Sequence, residues 1–154
     1  MGSFDSTHFI SLLVPILPLI GFFGYFLYGD KFSESKIGAI ATGWVLASFG
    51  LSILLFSQVA TNGAIHVNYF DWIQAGSIKI PFAFQIDQLS TIMMLLVTGV
   101  GGLIHIYSIG YMHGDSGFSR FFAYLNLFIF FMLLLVMANN YVLMFAGWEG
   151  VGLC

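Results

Sequence analysis

Three long stretches of this chain contain no Lys, Arg, Asp or Glu: Phe9 to Tyr28, Ile37 to Ala60 and Gln88 to Met112. Each reaches the ~20 apolar residues that a helix needs to cross a hydrocarbon core about 30 Å thick. Phe121 to Ala138 is a fourth, slightly shorter stretch. Only 7% of the 154 residues are charged, 59% are hydrophobic and the mean hydropathy is +0.96. A soluble domain carries roughly 25% charged residues, and disorder requires low hydrophobicity, so the sequence excludes both. The expected fold is an all-α transmembrane multi-helix bundle. It comprises helices over 9–28, 37–60, 88–112 and 121–138, plus the start of a fifth, incomplete helix over 141–154.

The fifth stretch covers only about 20 Å at 1.5 Å per residue. A helix end in hydrocarbon leaves carbonyls unsatisfied, so the reading expects a longer protein. Pro15 and Pro18 lie inside the first stretch. No basic residue precedes it and no A-x-A site follows it, so it reads as a retained helix and not as a signal peptide. Neighbouring helices must then satisfy the backbone groups that the prolines free. Tyr25, Tyr28, Tyr107, Tyr111 and Tyr141 fall at expected helix ends, where amphipathic rings sit at headgroup level. Gly99, Gly101 and Gly102 would let another helix approach the third span closely.

Between the second and third spans, residues 61–87 form an expected external segment. Ile65, Val67 and Tyr69 alternate with His66 and Asn68. After Ala75-Gly76-Ser77, the residues Ile78, Ile80, Phe82 and Phe84 alternate with Lys79, Pro81, Ala83 and Gln85. That period of two predicts a β-hairpin, with Pro81 on an edge strand. Lys31 and Lys36 lie in the first connection and Arg120 in the third, against Lys79 alone in the second. The positive-inside rule puts connections one and three in the cytoplasm and the N-terminus outside.

Net charge is −3 with only four Lys and Arg, which leaves no basic surface for a run of phosphates; no nucleic-acid partner is expected. The single Cys154 offers neither a disulfide nor a thiolate zinc site. Glu149 is the one charged residue well inside an expected span. It lies nine residues beyond Asn140, about 13 Å into the core. An ionised carboxylate there costs about 3 kcal/mol, so it must be protonated, paired with a cation, or in water. A cation that approaches and withdraws changes its proton affinity, which is the elementary event of a proton pump. The bland alternative is a neutral acid that hydrogen-bonds neighbouring helices. Around it, Gly147, Trp148, Gly150 and Gly152 are expected to pack another helix closely or to border a local water cavity beside Glu149, the bland alternative being ordinary small-residue packing.

His105 falls about 27 Å from Asp87 by helical rise. It is a possible proton relay, or an interfacial histidine bonded to a carbonyl. Asp87 suits a helix cap, and Asn126 is placed to hydrogen-bond across helices. His8, His66 and His113 form no metal-binding spacing.

Three blocks of residues carry a resemblance: Asn140 to Cys154 with Gly147-Trp-Glu-Gly150 at its centre, Ile86 to Ser90 leading to His105 to Met112, and Arg120 to Phe128. Together they resemble the proton-pumping, antiporter-like L subunit of respiratory complex I, NADH-quinone oxidoreductase, in its N-terminal part. The resemblance implies proton translocation coupled to NADH oxidation and quinone reduction, with Glu149 interacting with a lysine on a later helix. It implies no redox site and no cofactor in this chain, with FMN, iron–sulfur clusters and quinone held elsewhere in the complex. Implied partners are other membrane subunits, especially the neighbouring antiporter-like subunit, and the lipid bilayer of a bacterial inner membrane. Subunits of multisubunit cation/proton antiporters share the glutamate motif and are the competing assignment, followed by a purely structural membrane subunit.

Overall fold

The structure is a computed structural model that describes residues 2–29, 32–76 and 78–154, without the side chains of residues 2–5 and 78. Lys31 and Ser77 lie outside the described residues. Five helices and one hairpin follow in the order α1 (Gly2–Tyr28), α2 (Glu34–Asn62), β1 (Ile65–Ala75), β2 (Ile78–Ile86), α3 (Gln88–Tyr111), α4 (Phe118–Met137) and α5 (Tyr141–Leu153). By length and composition, α1 to α4 are long and apolar enough to cross a membrane. The helical bundle with a hairpin between its second and third helices is the fold that the sequence predicts. The helices begin earlier than the apolar runs do: α1 at Gly2, α2 at Glu34 and α4 at Phe118. Helical hydrogen bonding continues through polar residues that a span count leaves out.

The first helix passes unbroken through both prolines. Pro18 has no N–H for the carbonyl four residues back, which is Val14. Ser48 of α2 supplies the missing donor, its hydroxyl donating to the Val14 carbonyl at 2.8 Å from a fully buried position. The two helices are thereby tied where the first would otherwise expose an unsatisfied group to hydrocarbon.

Helix α4 touches α1, α2, α3 and α5, while α3 packs chiefly on α2. The glycines of α3 permit these approaches: a Cβ on Gly102 would meet Leu46 of α2 at 2.9 Å, and one on Gly101 would strike Ile129 of α4. One core cluster joins Val14, Val45, Met94, Ile129 and Leu133 to Phe84 and Ile86 of the hairpin. A second, at the opposite end, joins Tyr25, Ile37, Phe118 and Phe122. Tyr25 is only 6% exposed and so packs inside the bundle, whereas Tyr28, Tyr107, Tyr111 and Tyr141 face outward. Tyr25, near the end of α1, packs its ring into the second core cluster.

The antiparallel hairpin runs from the Ile65–Ile86 pair to the Ala75–Ile78 pair, with irregularities at Tyr69 and Trp72. Burial alternates as expected from Ile65 to Tyr69 and is lost beyond, because each inserted residue reverses the facing of the strand. At the tip, Gly76 has a φ of 59°, a conformation that favours glycine. Along its other edge β2 meets the α4–α5 connection. Asn139 N–H donates to the Ala83 carbonyl at 3.1 Å, and Asn140 Nδ2 donates to the Pro81 carbonyl at 2.8 Å. Tyr69 fastens the hairpin to α1 by donating to the His8 carbonyl at 3.0 Å, with Ser11 Oγ 2.7 Å away. Burial pushes the Tyr69 hydroxyl above its ordinary pKa.

Candidate functional site

Helix α5 starts at Asn140, whose side-chain oxygen accepts from Leu143 N–H at 3.0 Å and satisfies one of the open donors of the first turn. From there Leu143, Gly147 and Gly150 recur on one face and are buried against α4. The fit is close. A Cβ on Gly147 would stand 2.8 Å from the Leu135 backbone nitrogen, and one on Gly150 would enter the Phe131 ring. Phe131 and Leu135 lie in the second half of α4, so the contact runs along the first turns of α5 beside the end of α4.

Glu149 sits between these two glycines in sequence but points away from α4. Its side chain is exposed, and it makes no hydrogen bond or ion pair with any described side chain. Trp148 is 66% exposed, and a Cβ on Gly152 would meet nothing within 4 Å. The expected packing role around Glu149 is therefore divided. Gly147 and Gly150 hold α5 on α4, whereas Trp148 and Gly152 line the outward face that carries the carboxylate. Helical geometry explains the split, because residues one apart point 100° from each other.

At the hairpin end, a cleft of about 610 Å³ lies between the starts of α3 and α5, lined by Gln85, Asp87, Ser90, Asn139, Asn140 and Met144. Asp87 caps α3 here: its Oδ1 accepts from Ser90 N–H at 2.8 Å, while its own N–H donates to Ser90 Oγ at 2.7 Å. That backbone bond from Ser90 holds the Asp87 carboxyl below its ordinary pKa. The capping role expected from sequence is the one observed.

His105 lies about 27 Å along α3 from Asp87 by helical rise, meets a backbone carbonyl as expected, and is fully buried, at 0% exposure. The reason is its neighbours: Gly101 and Gly102 draw α4 and α2 over α3, and the Phe122 ring stacks edge-on against the imidazole at 5.9 Å. His105 Nδ1 lies 2.7 Å from the Gly101 carbonyl. Across the interface, Asn126 of α4, also fully buried, brings its Nδ2 to 3.4 Å from His105 Nε2 and donates to the Phe122 carbonyl at 3.0 Å. By helical rise Asn126 is roughly 12 Å from the start of α4 and roughly 16 Å from its end, near the middle of the span. Both residues stand out in sequence as polar positions in apolar helices, but their pairing needs the crossing of α3 and α4. No group of three or more metal-ligating side chains occurs among the described residues.

Four helices long and apolar enough to cross a membrane, a hairpin clamped to the start of a fifth, and on that fifth helix a carboxylate without a partner among the described residues define a class: polytopic membrane proteins. The comparison with known proteins is more particular. The family model described as NADH-Ubiquinone oxidoreductase (complex I), chain 5 N-terminus, matches residues 72–122. NADH-quinone oxidoreductase subunit L of Mycobacterium tuberculosis is 48% identical over 96% of this chain and 24% of that protein. The subunit L of Rickettsia bellii is 38% identical over 94% of this chain and 23% of its own length. NADH-ubiquinone oxidoreductase chain 5 of Metridium senile is 38% identical over 93% of this chain and 24% of its own length. The chain thus spans about a quarter of the length of these relatives. Over nearly all of its own length it is similar to the N-terminal part of complex I subunit L.

Proposed function

We propose that this chain is the N-terminal part of a proton-translocating membrane subunit of NADH-quinone oxidoreductase, in which Glu149 takes up and releases protons. The observation that carries the reading is the outward face of α5, where a carboxylate about 13 Å beyond the helix start has no partner among the described residues. A charge at that depth is functional by default, because leaving it in lipid costs several kcal/mol. Its partner is a cation supplied by a later helix of the full-length protein. When that cation is close, Glu149 holds its negative charge; when it withdraws, the acid is reprotonated. Gly147 and Gly150 serve this chemistry by fixing α5 on α4, so that the carboxylate stays on the open face. The cleft rimmed by Gln85, Asp87 and Asn139 gives water an approach from the hairpin side.

Redox chemistry then belongs to other subunits, where FMN, iron–sulfur clusters and quinone are held. The partners of this chain are other membrane subunits, including the neighbouring antiporter-like subunit, and the surrounding lipid. We place the protein in a bacterial inner membrane with the hairpin and N-terminus outside, because Lys36 and Arg120 lie at the opposite end. The test is Glu149→Gln in the full-length protein, assembled in its complex and reconstituted in vesicles. Quinone reduction by NADH should continue with fewer protons moved per electron. An unchanged proton-to-electron ratio would overturn the reading.

A further inference from the structure

We infer that His105 and Asn126 form a second protonatable site inside the bundle, separate from Glu149, with Asn126 as the positioning residue that receives the added proton's hydrogen bond. The hydrogen-bond inventory supports this. A carbonyl oxygen only accepts, so the 2.7 Å contact with the Gly101 carbonyl fixes the proton on His105 Nδ1. Nε2 is then a bare lone pair, and the amide N–H that reaches it is long at 3.4 Å because Asn126 Nδ2 bonds the Phe122 carbonyl more closely. The other amide atom, Asn126 Oδ1, is buried with no donor at all.

Two adjacent acceptors therefore share less than one good donor, in a fully buried place where an unmet polar group costs about 1–3 kcal/mol. One added proton resolves the deficit. A hydronium ion gives a proton to Nε2 and leaves as water; the Asn126 amide turns, its Nδ2 gives up the hydrogen bonds to Nε2 and to the Phe122 carbonyl, and Oδ1 accepts from the new Nε2–H. The Phe122 carbonyl that loses the amide keeps its place in the helical ladder. Room for the turn is limited on one side by α1, where Gly21 approaches so closely that a Cβ would stand 2.8 Å from Asn126 Oδ1.

The groups around the pair do not supply an alternative charge. From α1 the titratable group on this side is Tyr25, a neutral phenol packed with Phe122 in the second core cluster. The α2 register places Thr42 at the level of His105, since Gly38 meets Ile109 and Leu46 meets Gly102; the Thr42 hydroxyl donates to the Gly38 carbonyl. On α4, Tyr124 and Arg120 face outward, and on α3 so does Tyr107. The pair thus responds to protons through its own two side chains.

Protonation of the pair stands without the proposed pumping activity; a part in proton transport rests on it. The experiment is infrared spectroscopy of the full-length protein in its complex with isotope-labelled histidine, against His105→Phe to assign the band. The His105 band is expected to convert between neutral and protonated forms with pH. Asn126→Leu, which removes the acceptor, should lower the proton affinity of His105 by about tenfold or more, and Asn126→Asp should raise it by at least as much. Opposite shifts do not follow from a structural role, and the aspartate variant keeps the test open if the leucine variant fails to fold. A His105 band that stays neutral at every pH, or one that ignores both substitutions, would overturn the inference. Neither result depends on Glu149, whose pumping test stands separately.

Discussion

Ser48 is the residue on which the proline-containing first helix depends. Its hydroxyl is the donor that Pro18 cannot be, 2.8 Å from the Val14 carbonyl. Ser48→Ala leaves that carbonyl unmet away from water and should lower the stability of the full-length protein in detergent by about 1–2 kcal/mol, read as a drop in thermal unfolding temperature. Asp87 gives a pH-dependent counterpart. Its carboxyl is held below the ordinary carboxylate pKa, chiefly by the Ser90 backbone N–H. The stabilisation is therefore complete above the unfolded value near 4 and is lost as pH falls through the lower folded value. Asp87→Ala should cost about 1 kcal/mol at pH 7, and that difference from the parent protein should shrink in acid. An Asp87→Asn variant, which keeps the capping oxygen, should stay near the parent at pH 7. At this scale the sequence already marks each polar residue within an apolar run. What it leaves open is pairing: that His105 meets Asn126, or Ser48 meets Val14, follows from helix crossings brought about by Gly101, Gly102 and the α1–α2 contact.

At the scale of elements, α5 shows how two faces of one helix divide structure from chemistry. Gly147 faces the Leu135 backbone, which has little freedom to move, whereas Gly152 faces open space. Gly147→Ala should therefore displace α5 and destabilise by about 1–3 kcal/mol, outweighing the ~1 kcal/mol that alanine gains in helix propensity. Gly152→Ala should be neutral or slightly stabilising. Comparing the two by thermal unfolding and by yield of assembled complex separates close packing from mere helix propensity. The sequence exposes the glycine density but not its direction, because a stripe is assigned to a neighbour only once α4 is in place. In the hairpin the turn and the pairing are legible, but the facing of β1 is legible only to Tyr69, for the same kind of reason: the inserted residues reverse the strand's faces, and a period of two carries no signal of them.

For the whole molecule, the apolar runs suffice to give the number and order of spans, because length and absence of charge are all that a bilayer asks of a helix. The hairpin, the α4–α5 connection and the cleft beside Asp87 then share one end, and Lys36 and Arg120 share the other. Glu149 lies on the outward face between them, and the account depends on its proton. The most direct measurement is the infrared difference spectrum of the full-length protein in its complex during turnover, parent minus Glu149→Gln. A carboxyl band that is lost in the variant and changes between protonated and ionised forms in the parent is the predicted result; a Glu149 band that stays constant throughout turnover would contradict it.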